Sequence, residues 1–142
     1  MVITTSIEID APAHRVWEHL VDFPRYGEWN PLTPRVEGDA LVDAVLTLHV
    51  VLGGSKLVRK HVVSRVDSPN ALCWTMRTRK PWLMRGERCQ TLEELGEGRC
   101  RYANEERVHG LISWIVALFF QGRIRRSIES VGEALKGRAE NC

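Results

Sequence analysis

The 142-residue chain has little charge of either sign to spare. Its 20 Lys and Arg against 18 Asp and Glu leave a net charge of +2 and a pI near 8.5. That balance excludes a dedicated nucleic-acid binder, which needs a basic face. Long hydrophobic runs are missing too. The longest, Leu111 to Phe120, is half of the roughly 20 residues that a spanning helix requires. Residues 1–12 contain no basic stretch ahead of an apolar one, and Glu8 and Asp10 interrupt them, so a cytoplasmic location is expected. Cysteine is sparse. Cys73, Cys89, Cys100 and Cys142 form no CxxC pair and no zinc-ligand spacing, and reduced thiols are expected. There is no GxxxxGK[ST], GxGxxG, GxSxG or HExxH, which removes the common phosphate-loop, dinucleotide, nucleophile-elbow and zinc-protease readings. Gly53-Gly54-Ser55-Lys56 is too short for a phosphate loop and reads as a hairpin turn. No linker, repeat or low-complexity segment divides the chain, so residues 1–142 are expected to form one domain, too short for separate cofactor and substrate domains. No cofactor and no metal is implied.

What is present is ordinary globular material: 44% hydrophobic and 27% charged residues. A chain of this size buries about 68–70% of its unfolded surface, enough for a core without staples. Residues 2–9 are β-branched and alternate, which predicts a strand. Asp10 and Pro12 then open a helix, Asp as cap and Pro in the first turn. Its apolar face is Ala13, Val16, Trp17, Leu20 and Val21, its polar face His14, Arg15, Glu18 and His19, and Pro24 stops it. His14, Glu18 and Asp22, four apart, read as a solvated polar face rather than a metal site. A short helical turn carries Tyr26 and Trp29 before Asn30-Pro31 breaks it.

From about residue 34 the period becomes two. Residues 33–37 make a short edge strand limited by Pro34. Strand 44–52 puts Leu46, Leu48, Val50 and Leu52 on one side. Strand 57–66 is read with Val58, Val62, Ser64 and Val66 on one face, which places His61, like His49, on the convex side. After the turn at residues 67–70, strand 71–78 groups Leu72, Trp74 and Met76. A loop at residues 79–83 precedes strands 84–95 and 99–108, joined through Gly96-Glu97-Gly98. Short turns force neighbouring strands to pair, which gives a seven-stranded antiparallel meander. Residues 111–137 then form one helix about 40 Å long. Its second half carries the stripe Ile124, Ile128, Val131 and Leu135, whereas its first half is apolar nearly all round.

This order of elements resembles the helix-grip fold of the START-like (SRPBCC) superfamily, an α+β architecture in which a curved sheet grips a long C-terminal helix and two small helices follow the first strand. The local words match as well: Val16-Trp17, Leu20, Asp22, Tyr26 and Trp29-Asn30-Pro31; then Leu72 and Trp74 after a proline turn; then the Leu-Glu and Gly-rich turn ending in Gly110. The chain is most similar to the polyketide cyclase/dehydrase and lipid-transport group. The resemblance implies an elongated cavity between sheet and helix that holds an apolar or amphipathic small molecule, with some members acting as aromatases or cyclases.

Alternation selects candidates for that cavity. If Leu92 and Tyr102 share the inner face with Trp74 and Met76, residues summing to 194 face each other across the last hairpin. Arg88 then stands opposite Glu106, and Gln90 opposite Asn104. The expected ligand-binding set is Val50, Trp74, Met76, Arg88, Gln90, Leu92, Tyr102, Asn104, Glu106, Trp114 and Leu118. Four polar groups on a concave face need partners. They either pair with each other or orient a ligand carbonyl or hydroxyl, with Arg88, Asn104, Glu106 and His109 as candidates for proton transfer. Trp17 and Trp29 read as core or cavity wall.

Two further expectations concern the surface. Residues summing to 162 pair across the loop at 79–83, which sets Cys73 opposite Cys89 on the convex side. Alternate turns of a meander share one end of the sheet, so the turn at 53–56, the loop at 79–83 and the corner at 109–110 should cluster. That end would gather Trp82, Leu83, Leu111, Ile112, Trp114 and Ile115 within a rim of Lys56, Arg79, Lys80 and Arg85. The small helices or a partner copy could cover it, making the protein a monomer or a homodimer, or it could touch a membrane transiently. The basic run Arg77, Arg79, Lys80, Arg85 and Arg88 is too local for a nucleic-acid strip.

Overall fold

The computed structural model describes residues 1–141. Cys142, one of the four thiols expected to be reduced, lies outside the described residues. The elements run β1 (Val2–Ile9), α1 (Ala13–Val21), a 3-10 turn (Phe23–Glu28), β2 (Arg35–Glu37), β3 (Val45–Leu52), β4 (Ser55–Asp67), β5 (Ala71–Met76), β6 (Arg85–Gly96), β7 (Arg99–His109) and α2 (Ser113–Glu140). The seven strands form one antiparallel sheet in the order β1-β7-β6-β5-β4-β3-β2. Strands β2 to β7 are the expected meander. β1 closes the far edge on β7, with Ile7 opposite Tyr102 and Ile9 opposite Cys100. This is the helix-grip arrangement: a curved sheet with a long C-terminal helix lying across its concave face.

α1 buries Ala13, Val16, Trp17 and Leu20, the stripe its 3.6-residue spacing requires. Its first amide is capped by a residue distant in sequence. The Ala13 N–H donates to Glu94 Oε2 at 2.8 Å, whereas Asp10, the expected cap, takes the Arg99 guanidinium instead. With the 3-10 turn, α1 closes one end of the concave face, and Phe23, Tyr26, Leu72, Leu92, Tyr102 and Leu135 form the buried core there. The C-terminal half of α2 docks on this end through Leu135 and Ala139, while Ile128 and Val131 pack with Ile3 and Leu32 in a second cluster nearer the middle of the helix. Gly132 packs here against Ile7 and Tyr102, where a Cβ would stand at ordinary contact distances of 3.4 Å from Ile7 Cγ2 and 3.6 Å from the Tyr102 ring.

The register of the last hairpin is as the alternation requires: Arg88 opposite Glu106, Gln90 opposite Asn104, Leu92 opposite Tyr102. β4 differs from the sequence reading. A bulge between Val63 and Arg65 inserts Ser64 into the ladder, so parity reverses along the strand. Val66 faces inward opposite Leu72, but beyond the bulge it is Val63 and His61 that face inward, opposite Trp74 and Met76. Alternation counted through Ser64 assigned His61 to the wrong face. His49, on unbulged β3, does face outward and meets Glu37.

The thiols also differ from expectation. Cys73 and Cys89 are directly opposite, as the register requires, and the structure joins them in a disulfide rather than leaving both reduced. Directly opposed residues of an antiparallel pair come closest at a non-hydrogen-bonded position, and the Cα atoms here are 4.2 Å apart. Cys100 is free and buried, and burial pushes its thiol up to about 11.

Candidate functional site

The concave face is filled at the α1 end and hollow at the other. Between the inner faces of β3–β7 and the first half of α2 lies a cavity of ≈ 260 Å³. Its walls alternate as strands must: Leu48, Val50 and Leu52 from β3, Trp74 and Met76 from β5, Val108 from β7. α2 contributes Val116, Phe120, Ile124 and Ser127, one face at helical spacing. Leu32 reaches in because the Asn30 side chain folds the chain after the 3-10 turn. Asn30 Oδ1 accepts from the N–H groups of Leu32 and Thr33 at 3.0 and 2.9 Å, and the Leu32 carbonyl accepts from the Val51 N–H at 2.8 Å. The Asn30-Pro31 word is thus a wall-building turn.

The polar part of the lining is small: Arg59, His61, Arg88 and Glu106, with Ser127 on the helix. Arg88 Nε donates to Glu106 Oε2 at 2.7 Å, and both side chains are largely buried. The pair satisfies itself and presents little net charge to the cavity. His61 is different. Its Nδ1 is buried and makes no hydrogen bond among the described residues. Burial first, and the Arg88 guanidinium second, hold the imidazole down to about 4, so it is neutral at physiological pH. A neutral imidazole can accept one hydrogen bond and donate another, and, held down to about 4, it is a weak base that takes a proton only from an acidic group.

Of the residues singled out from sequence, Val50, Trp74, Met76, Arg88 and Glu106 border the cavity. Gln90, Leu92, Tyr102 and Asn104 lie on the same inner face but deeper, sealed in the core. The Tyr102 hydroxyl donates to Gln90 Oε1 at 2.7 Å, and Asn104 Nδ2 donates to the Tyr102 oxygen at 3.3 Å. Burial pushes the Tyr102 phenol far up, so it stays protonated. Gln90 Nε2 and Asn104 Oδ1 complete no hydrogen bond among the described residues. Trp74 joins the two regions: it borders the cavity and meets Phe23 edge-on with ring centroids 6.3 Å apart.

Three candidates are corrected. Trp114 and Leu118 point away from the cavity and are exposed, because the helix face that closes it is the one carrying Val116 and Phe120. An all-apolar helix segment gives no sign of which face turns inward. His109 is exposed and lies on the face of β7 opposite Val108, outside the cavity. Sequence reasoning missed His61, Arg59, Leu32 and the helix residues Val116, Phe120, Ile124 and Ser127. The continuation of the stripe Ile124, Ile128, Val131 back by four-residue steps would have found Phe120 and Val116.

The sequence matches the polyketide cyclase / dehydrase and lipid transport family over residues 1–140. The chain belongs to this family. Solved structures share its fold at low identity. A START superfamily protein from Mycobacterium smegmatis is 17% identical with a TM-score of 0.75, over 99% of this chain and 97% of that one. The Zhui aromatase/cyclase from Streptomyces sp. R1128 is 17% identical with a TM-score of 0.82, over 99% and 94%. A norcoclaurine synthase point mutant from Thalictrum flavum, in complex with a transition-state analogue, is 14% identical with a TM-score of 0.75, over 98% and 93%. No curated protein matches the sequence. Family and fold are consistent with a hydrophobic ligand-binding or cyclase role.

Proposed function

We propose that this protein binds a neutral, largely apolar or aromatic small molecule, lipid- or polyketide-like, in the cavity between its sheet and α2. The observation that carries the reading is the lining: apolar on nearly every side, with Arg88 and Glu106 paired, His61 neutral, and Arg59 the one lining charge without an ion pair among the described residues. Such a site rewards burial of apolar surface and offers one polar anchor for a hydroxyl or carbonyl. A ligand carboxylate would have to compete with Glu106 for Arg88 and would find its free cation in Arg59, which pairs with no carboxylate among the described residues. The test is native mass spectrometry of freshly purified protein, followed by titration with a long-chain fatty acid and with a neutral polycyclic aromatic, read by tryptophan fluorescence. Saturable binding of the aromatic, weakened in Trp74→Ala, is expected. No co-purifying ligand and no saturable binding of either probe would sink the reading.

His61 favours a second reading, an enzyme of cyclase, aromatase or dehydratase type. Arg88 and Glu106 already hold each other, and Asn104 is sealed in the core. The proton-transfer role therefore falls to His61 rather than to those residues, with the cavity folding the substrate against it. Turnover of a poly-β-ketone substrate that disappears in His61→Ala while binding persists would support this reading, and binding without turnover would leave the carrier.

A further inference from the structure

The end of the molecule beside the cavity draws its chain from within three stretches that hold no carboxylate: residues 44–66, 68–86 and 107–128. The fold brings them together. The Leu111 N–H donates to the Trp82 carbonyl at 2.9 Å and the Ile112 N–H to the Leu83 carbonyl at 3.1 Å, tying the loop after β5 to the corner after β7. Gly110 turns that corner at φ 114°, where a Cβ would overlap the Leu83 carbonyl. Gly53 of the β3–β4 turn lies against the Arg123 side chain of α2. The surface so formed exposes Trp82 (63%), Leu111 (67%), Trp114 (62%), Leu118 (68%) and Phe119 (70%). Five large apolar side chains this exposed on one end of a molecule mark a contact surface. Around them Arg77, Arg79, Lys80 and Arg85 make no ion pair among the described residues.

We infer that this end docks on an anionic lipid bilayer, with Trp82, Trp114 and Phe119 seated at the headgroup level and the basic rim against the lipid phosphates. The charge pattern selects the occupant. A second copy placed on the same patch by a two-fold axis would bring the unpaired cations against each other, whereas a negative leaflet neutralises them all. The apolar half of α2 is too short to span, and no helix among the described residues is long and apolar enough to cross a membrane. It lies in the interface with tryptophans at headgroup depth, as interfacial helices do. The docked surface adjoins the cavity rim formed by Met84, Val116 and Phe120, so ligand exchange with the bilayer needs no passage through water.

The experiment is co-sedimentation of the intact protein with vesicles of phosphatidylcholine and phosphatidylglycerol in equal parts, compared with phosphatidylcholine alone, at low and high salt. Binding to the mixed vesicles at low salt is expected, with a blue-shifted tryptophan emission and loss at high salt. Each cation near such a surface is worth about five-fold in affinity, so Arg79→Glu with Lys80→Glu should weaken binding at least about 25-fold. Trp114→Ser with Phe119→Ser should abolish the blue shift. Leu41→Ser, which removes an equally exposed leucine from the opposite end of the sheet, should change nothing. Absence of binding at low salt, equal binding to both vesicle types, indifference to the variants, or a stable dimer that buries Trp114 would each overturn the inference. Titration of the same variants with the polycyclic aromatic in solution reads the cavity separately.

Discussion

One sheet and one helix produce two unlike ends on the concave face of this protein. At the β6–β7 hairpin end, α1 and the 3-10 turn wedge in, and Leu20, Phe23, Tyr26, Tyr102 and Leu135 are sealed. At the other end the same strands and helix stand apart, a cavity remains, and Trp114, Leu118 and Phe119 face outward uncovered. Sheet and helix alone therefore do not make this core. The small helices decide where it closes, and where they stop, binding surface begins.

The sharpest way to break that comparison is at the border between the ends. Arg88→Met or Glu106→Gln strands one partner of a largely buried pair, and each should cost about 3–5 kcal/mol in urea unfolding, while the double variant costs far less. Equal losses in the singles and the double would show the pair to be solvated, and the hollow end to be wetter than its lining suggests. Leu135→Ala, at the sealed end, should cost about 2–5 kcal/mol, because nothing there can collapse into the void. A loss below one-quarter of that would mean the sealed end is soft.

His61 separates the ends by pH. Its folded value of about 4 lies below its unfolded value near 6.5, so the unfolded chain binds the proton more readily. The stability it contributes is complete above 6.5 and is lost as pH falls towards 4, up to about 3 kcal/mol. His61→Gln should flatten that part of the stability profile, measured as the difference from the parent protein. Parallel profiles would place His61 in water. The smallest effect belongs to the exposed helix face: Leu118→Ala should shift unfolding by no more than about 0.5 kcal/mol. A larger loss would mean that this surface is covered in solution.

The sealed end was the more legible in sequence. The α1 stripe and the Leu92–Tyr102 hairpin are strictly periodic and sit in regular structure, so counting recovers both face and partner. Legibility failed where periodicity carries no phase. LISWIVALFF is apolar on all sides, so by itself it does not distinguish Val116 and Phe120 from Trp114 and Leu118, and its phase comes only from the stripe of the half that follows it. It failed again at Ser64, an inconspicuous residue in a strand of ordinary alternation, whose bulge reversed every assignment towards the β3–β4 turn. The Cys73–Cys89 contact was predicted by register, but its oxidation state was inferred from compartment, a property that spacing does not encode.

That bulge makes the cavity's chemistry discrete rather than graded. Removing Ser64 would restore continuous pairing and rotate the preceding part of β4 by one pleat. Leu57, Arg59 and His61 would leave the cavity, and Val58, Lys60 and Val62 would enter it. A one-codon deletion would thus exchange an imidazole for valines and a lysine and would shift the pairing of this segment with β3, so homologues of one fold can diverge in ligand by a single length change at a residue that does not itself line the cavity.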